Sequence, residues 1–160
     1  MNQDQLSLPS SSHAYGIGLI ALIIGAAIGI SYYQLYFVPE YNSIPPISEK
    51  VARPGDTTSI LVVPGAANKD QEQNFVPKKI ESQLGVNNRV IWTNNDNVAH
   101  YVTPDKPFKD RYSGDFGSKA IMPGDTYQFL FTEEVNLPYY CAVHPWMTGE
   151  IDVVHGALTS

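Results

Sequence analysis

The sequence predicts an all-β domain, a β-sandwich of about eight short strands, preceded by one transmembrane helix. Residues 16–38 contain no charged side chain and are long enough to cross a bilayer as a helix, which needs about 20 apolar residues. From residue 59 onward, short runs rich in β-branched and aromatic residues alternate with turn residues. No helical period is visible beyond the apolar segment, and the 160-residue chain has room for one domain plus an appendage.

The first 58 residues divide into three segments. Residues 1–15 are polar, rich in serine and without Lys or Arg, which predicts disorder. Residues 16–38 form the predicted transmembrane helix, and four aromatic residues gather at its C-terminal end, where an interfacial belt is expected. A cleaved secretory signal is the alternative, but a basic leader and a small-x-small cleavage site are missing, which favours a retained signal anchor. Residues 39–58 contain four prolines and predict a semi-rigid linker.

Residues 59–155 form the predicted β-domain, and residues 156–160 form a tail. Long connections are expected at residues 64–73 and 104–120, because both are rich in polar and turn-forming residues. Tyr127, Phe129 and Phe131 alternate with other residues, as in a half-buried strand. The remaining strands are predicted at 60–63, 80–84, 89–94, 99–103, 137–141 and 149–154.

Three residues that can bind a metal lie at equal spacing near the end of the domain: Cys141, His144 and Met147. The flanking residues predict strand, short loop and strand, so that one loop carries all three. Thiolate, imidazole and a weak thioether suit copper, and blue-copper sites add a second histidine in the metal plane. His100 at the end of the 91–100 run is the suitable partner, because His13 precedes the membrane segment and His155 follows the last strand.

Each of these residues also has an ordinary structural interpretation. Cys141 can be a buried core thiol, Met147 can fill a gap in the core, and His144 can be a loop histidine. Their combined spacing favours the metal site. The single cysteine also excludes an internal disulfide, and a metal-bound thiolate avoids the liability of an exposed free thiol.

Two separated groups of residues carry a resemblance to a known family. The first includes Gly85, Val90, Trp92, Asn94, Asp96, His100 and Val102, with Phe75, Pro77 and Ile80 upstream. The second includes Pro123, Gly124, Tyr127, Phe129 and the run from Tyr139 to Gly149. Over residues 59–154 the chain resembles the cupredoxins, the small blue-copper proteins, and its short Cys-x-x-His-x-x-Met loop is similar to that of amicyanin and its plastocyanin-like relatives.

The resemblance implies a Greek-key β-sandwich with one mononuclear type 1 copper per chain. It implies His100, Cys141 and His144 as the ligands in the metal plane and Met147 as the weak axial ligand. The chain departs from the family at Tyr101, where many members have an asparagine that ties the two ligand loops together. A hydrogen bond near the thiolate must therefore be missing or be supplied by another group.

The resemblance implies electron transfer rather than catalysis. His144 would be the ligand nearest the surface, with Pro145 and Trp146 in an apolar ring around it; Trp146 can alternatively close the end of the core. A dinuclear oxidase-type centre needs two cysteines, and this sequence has one. A copper nitrite reductase needs a second cupredoxin domain or an added histidine-rich site, and this sequence contains neither. A carboxylate-ligated red copper site is disfavoured by Met147. A copper-delivery or structural subunit of a membrane redox complex remains as the alternative.

The expected partners are redox proteins and, through residues 16–38, the lipid bilayer. Nucleic acid is excluded, because the net charge is −6 and no basic run occurs. The nearest basic residues, Lys50 and Arg53, would place the domain inside the cell. This charge difference is small, and the domain that follows is long. Because the predicted copper chemistry is commonly found on the oxidising side of a membrane, we expect the domain on the extracytoplasmic side. Gly25 and Gly29 form a small-residue pattern that suggests a helix–helix partner.

Overall fold

A computed structural model describes residues 11–41, 43 and 46–155, and side chains from residue 15 onward. The predictions for residues 1–10 and for the tail at 156–160 lie outside this range. The chain divides into two compact units, Met1–Ser43 and Ile44–Ser160.

The N-terminal unit is a long apolar helix. Helix α1 (Ser11–Tyr32) continues through a π-helical turn (Tyr33–Phe37) into α2 (Val38–Tyr41). The 27 residues from Tyr15 to Tyr41 are long and apolar enough to cross a membrane, judged by length and composition alone. The helix thus extends three residues beyond the predicted end at Val38. Side chains four positions apart stack here, with the rings of Tyr32 and Tyr36 centred 5.2 Å apart.

The C-terminal unit is a β-sandwich, which confirms the predicted fold class. Its strands are β1 (Thr57–Val62), β2 (Phe75–Val76), β3 (Lys79–Gln83), β4 (Arg89–Asn94), β5 (Thr103–Pro104), β6 (Lys109–Asp110), β7 (Gly114–Asp115), β8 (Thr126–Leu130), β9 (Val135–Cys141) and β10 (His144–Val154). Two four-stranded sheets, in the orders β2-β1-β4-β8 and β3-β10-β9-β5, contain eight of the strands, and β6 and β7 form a separate two-stranded ribbon. Neighbouring strands pair antiparallel except β1 with β4 and β3 with β10, which are parallel.

Alternating side chains from both sheets form the core. In β4, every second residue, Val90, Trp92 and Asn94, is buried, as expected for a strand with one face on the core. Trp92 lies at the centre of an aromatic cluster, with its ring centred 5.2 Å from that of Tyr127 and 5.8 Å from that of Tyr139. Burial of these rings supplies much of the hydrophobic stabilisation of the domain.

Several parts of the domain differ from the prediction, among them β2, which the sequence did not predict. The strand predicted at 99–103 is reduced to one bridge between His100 and Ile121, followed by the two-residue β5. The connection at 104–120 contains the β6–β7 ribbon, which the sequence did not predict. Such short pairings have no periodic signal, because each strand contributes only two residues.

The last part of the predicted linker packs on the domain. Helix α3 (Glu49–Ala52) begins after Ser48, whose hydroxyl accepts a hydrogen bond from Val51 N at 3.3 Å. The buried side chain of Asn88 donates to Val51 O at 2.9 Å and to Phe131 O at 2.6 Å. The expectation of no helix beyond the membrane segment is therefore wrong for this turn, which tertiary contacts stabilise despite its shortness.

Candidate metal centre

The β9–β10 hairpin carries three of the four predicted ligands. Cys141 ends β9 and pairs with His144 at the start of β10, so that only Ala142 and Val143 form the turn. The prediction that one loop carries all three ligands is therefore wrong, because β10 begins at His144 and includes Met147. The register then shifts, and regular pairing resumes with Thr148 opposite Tyr140. The shift inserts extra residues into β10, as in a β-bulge, and such insertions re-aim side chains. Met147 lies within it and is fully buried.

His100 is held on a separate segment by backbone and side-chain hydrogen bonds. Its N–H donates to Ile121 O at 3.1 Å, and its carbonyl accepts from Ile121 N at 2.8 Å. The side-chain amide of Asn94 donates to Val98 O and to Ile121 O, both at 2.8 Å. These contacts fix the loop between β4 and His100 and bury the imidazole completely.

The structure brings His100, Cys141 and His144 together, with one donor atom of each within 4.8 Å of the others. The Cys141 Sγ lies 3.8 Å from Nδ1 of His100 and 3.6 Å from Nδ1 of His144. Metal bonds of about 2.0 Å to nitrogen and 2.3 Å to sulfur, arranged in a trigonal plane, would separate sulfur from nitrogen by about 3.7 Å. The three side chains are therefore spaced as a single metal ion requires.

A buried carboxylate selects the ring nitrogen that His100 presents to this centre. Asp96 Oδ2 lies 2.9 Å from Nε2 of His100, and both side chains are buried. With Nε2 donating its proton to Asp96, the lone pair of Nδ1 is directed at Cys141 and is available to a metal. Burial works against the charge of Asp96, but hydrogen bonds from the N–H groups of Gly65, Asn97 and Ala67 and from His100 lower its pKa to about 2.

The surroundings of Cys141 favour the thiolate, the form that binds metal. In the metal-free chain burial opposes ionisation, but hydrogen bonds donated to the sulfur by protonated His100, by backbone N–H groups and by His144 lower the pKa of the thiol to about 6. A metal ion would take the place of the ring protons that face the sulfur. The N–H of Tyr101 lies 3.3 Å from Sγ. The sulfur thus accepts a hydrogen bond from the backbone of Tyr101, which does not depend on the side chain at this position.

The apolar surface at this end lies around His144. His144 itself is half-buried, and its ring is centred 5.3 Å from that of Trp146, which is 36% exposed. Val143, which precedes His144 in the turn, is also an exposed large hydrophobic residue. The structure therefore places Trp146 at the surface beside the ligand, rather than inside the sandwich as a closing core residue.

His155 does not join the centre. His155 pairs with Glu134 at 3.2 Å on the exposed surface, just beyond the end of β10. The side chain of His13 lies outside the described part of the chain. The sequence reasoning missed the role of Asp96, although an acidic residue four positions before His100, in a loop otherwise rich in asparagine, was the available signal.

Comparison with known proteins identifies the fold. No protein-family model and no curated protein sequence matches the chain. Among solved structures, a purple cupredoxin from Nitrosopumilus maritimus is 28% identical with a TM-score of 0.50, and the match covers 61% of this chain and 99% of that one. Amicyanin from Paracoccus versutus is 21% identical over 70% of this chain and 93% of that one, with a TM-score of 0.45. A Cu-containing nitrite reductase from Thermus scotoductus is 21% identical over 70% of this chain and 28% of that one, with a TM-score of 0.49.

The β-domain has the cupredoxin fold, on the basis of its two four-stranded sheets and its similarity to the purple cupredoxin. Its buried thiolate and two imidazoles form the donor set of a type 1 copper site, and their spacing fits one ion. The chain thus combines the cupredoxin fold, a donor set that suits one copper ion and a long apolar helix near its N-terminus.

Proposed function

We propose that the protein is a membrane-anchored electron carrier whose copper is bound by His100, Cys141 and His144, with Met147 as the weak axial ligand. The observation that carries the proposal is the convergence of one thiolate and two imidazole nitrogens within 4.8 Å, in a domain of cupredoxin fold. Copper in such a site supplies one electron at a time by cycling between its two oxidation states. Met147 is included because it is fully buried in the same hairpin.

The protein contributes rigidity around this centre. Cys141 and His144 are paired across a two-residue turn. The backbone N–H and C=O of His100 both form hydrogen bonds with the backbone of Ile121. Ligands fixed in this way move little when the charge of the metal changes. A small rearrangement favours rapid exchange of an electron, which is the property that a carrier needs.

Burial of the ligands favours a carrier over an enzyme. His100, Cys141 and Met147 are each fully buried, whereas catalytic metal sites keep a position open for substrate. The same burial favours retention of the metal over its release, and therefore an electron carrier over a copper-delivery protein. His144 and the exposed Trp146 beside it form the route by which a redox partner exchanges electrons with the centre.

The N-terminal helix anchors the protein in the bilayer and places the domain on the extracytoplasmic side. The helix of residues 15–41 has the required length and composition. At Gly25 and Gly29 an added Cβ would meet nothing within 4 Å, so this face can accept a closely packed helix of a membrane partner.

Copper loading of the full chain in detergent tests the function. We expect an intense thiolate-to-copper absorption band and narrow copper hyperfine splitting by electron paramagnetic resonance (EPR), and we expect Cys141→Ser to abolish both. A pale complex in the unmodified protein would refute the type 1 site. Rapid loss of copper to a chelator, with no reversible redox cycle, would instead establish the delivery function.

A substitution at the surface tests the electron route. Trp146→Ala should slow electron exchange with a redox partner while the copper spectrum is retained, because the side chain lies outside the donor set. Exchange with a small inorganic oxidant is the control, since it does not need a docking surface. An unchanged rate with the protein partner would refute the role of Trp146.

A further inference from the structure

The carboxylate of Asp96 connects the metal centre to a second loop. Its Oδ1 accepts hydrogen bonds from Gly65 N and from Asn97 N, both at 2.8 Å. Its Oδ2 lies 2.9 Å from Nε2 of His100 and accepts from Ala67 N at 3.3 Å. A carboxylate offers about four lone-pair positions, so these four donors saturate it. Two of the four come from the loop that joins β1 to β2.

This loop, residues 64–73, is built to hold its two N–H groups in place. Gly65 has φ of +80°, a backbone conformation that glycine adopts at little cost. The side-chain amide of Gln71 crosses the loop and donates to Pro64 O at 3.2 Å and to Gln73 O at 2.6 Å. Ala66 between the two donors is fully buried, whereas residues 68–70 at the tip are exposed. The loop therefore has a fixed base on Asp96 and a free outer surface.

We propose that the 64–73 loop sets the reduction potential of the metal centre by controlling how much of the negative charge of Asp96 is available to His100. Asp96, Gly65 and Ala67 are then positioning residues that act through the imidazole and do not touch the metal. This inference rests on the proposed copper site.

The direction of the effect follows from charge. Each N–H donor draws electron density from the carboxylate, so removal of the loop donors strengthens the remaining hydrogen bond to Nε2. A stronger bond makes the imidazole a better electron donor to the metal, as outer carboxylates do for metal-bound histidines in general. The more positive, oxidised state gains most from a better donor, so the reduction potential falls. Removal of the carboxylate charge itself has the opposite effect, and the potential rises.

Glycine substitutions provide a matched pair of variants. In Gly65→Ala the added Cβ would lie 2.7 Å from Oε1 of Gln71, which displaces the cross-loop amide, and the φ of +80° strains the backbone that carries the Gly65 N–H. Gly114→Ala is the control, because Gly114 has φ of +85° in the β6–β7 ribbon and nothing within 4 Å of an added Cβ. Both variants carry backbone strain, but only the first moves donors to Asp96. Gln71→Ala gives a milder second route, since it removes the cross-loop amide without adding an atom.

The experiment measures the reduction potential and copper EPR of the full chain in detergent. We expect lower potentials in Gly65→Ala and Gln71→Ala, no shift in Gly114→Ala, and a higher potential in Asp96→Asn. Equal shifts in the two glycine variants, or a shift of both loop variants in the direction of Asp96→Asn, would overturn the proposal.

A second readout separates this inference from the proposed function. In the metal-free chain, the Nε2 proton of His100 reports the hydrogen bond to Asp96 by nuclear magnetic resonance. We expect its signal to move downfield in Gly65→Ala and Gln71→Ala, because the bond strengthens, and to stay in place in Gly114→Ala. An unmoved signal in both loop variants refutes the coupling whatever metal the site takes, whereas an absent type 1 spectrum in the unmodified protein refutes the copper function alone.

Discussion

Replacement of Gly149 by alanine should destabilise the hairpin that carries the ligands. Gly149 and Tyr139 are directly opposite each other on β10 and β9. The ring of Tyr139 lies over the glycine so closely that an added Cβ would overlap its Cζ and Oη atoms and lie 2.8 Å from Cε1. The glycine has no positive φ, so close approach of the ring, and not backbone conformation, requires it.

The ring has little freedom to move away. Tyr139 is 1% exposed, and its ring is centred 5.0 Å from that of Phe75 and 5.8 Å from that of Trp92. Overpacking of a core costs about 1–3 kcal/mol, and each aromatic pair that is disturbed contributes about 0.5–1.5 kcal/mol. The lower backbone entropy of alanine in the unfolded chain offsets about 0.4–1 kcal/mol. We therefore expect Gly149→Ala to lower the free energy of unfolding by about 2–3 kcal/mol.

Denaturant unfolding of the full chain, followed by near-ultraviolet circular dichroism of the aromatic core, measures this loss. Gly55→Ala is the matched control, because an added Cβ there meets nothing within 4 Å. A second substitution, Tyr139→Phe, should restore part of the loss by removing the Oη overlap while the ring overlap remains. Equal stabilities of Gly149→Ala and the control would show that the contact is absent in solution.

Two further predictions concern buried polar groups. Asn88→Ala removes the hydrogen bonds to Val51 O and Phe131 O and leaves these two carbonyl groups unpaired. We therefore expect the free energy of unfolding to fall by about 3 kcal/mol in the same denaturant assay. A loss below about 0.5 kcal/mol would contradict this expectation. The lowered pKa of Asp96 means that its contribution to stability is complete above pH 4 and is lost as the pH falls towards about 2. The free energy of unfolding of the metal-free protein should therefore fall over this pH interval, and the fall should be absent in Asp96→Asn. A fall of equal size in Asp96→Asn would show that ionised Asp96 does not stabilise the folded protein.

Residues with a regular pattern made the sheets predictable. The alternation of buried and partly exposed residues in β4 fixed its bounds, and Arg89–Asn94 was predicted residue for residue. The strand β8 was recognised from Tyr127 and Phe129 for the same reason. By contrast, β2 and the β6–β7 ribbon contribute two residues per strand, and their backbone pairs only because the rest of the domain brings them together. Such elements are set by tertiary contacts that no local pattern records.

The ligands were predictable because their chemistry is concentrated in rare residue types. Cys141, His144 and the more distant His100 were selected by donor type and spacing, and the structure places their donor atoms together. Asp96 was not assigned a role, because a carboxylate in a polar loop looks like any other turn residue until its burial is known. The ligand function of Met147 stays a prediction that the spectrum of the copper form can test.

Two asparagines, Asn88 just before β4 and Asn94 at its end, tie the segments at both ends of this strand to the rest of the domain. Asn88 joins helix α3 to the end of β8, through Val51 O and Phe131 O. Asn94 joins the segment that carries His100 to the segment that pairs with it, through Val98 O and Ile121 O. Both side chains are fully buried, which is tolerated only when their amide groups are hydrogen-bonded. The strand between them carries Trp92 in the middle of the core. The position of His100 is therefore tied to the packing of the whole sandwich, and the loops around it inherit the rigidity of β4.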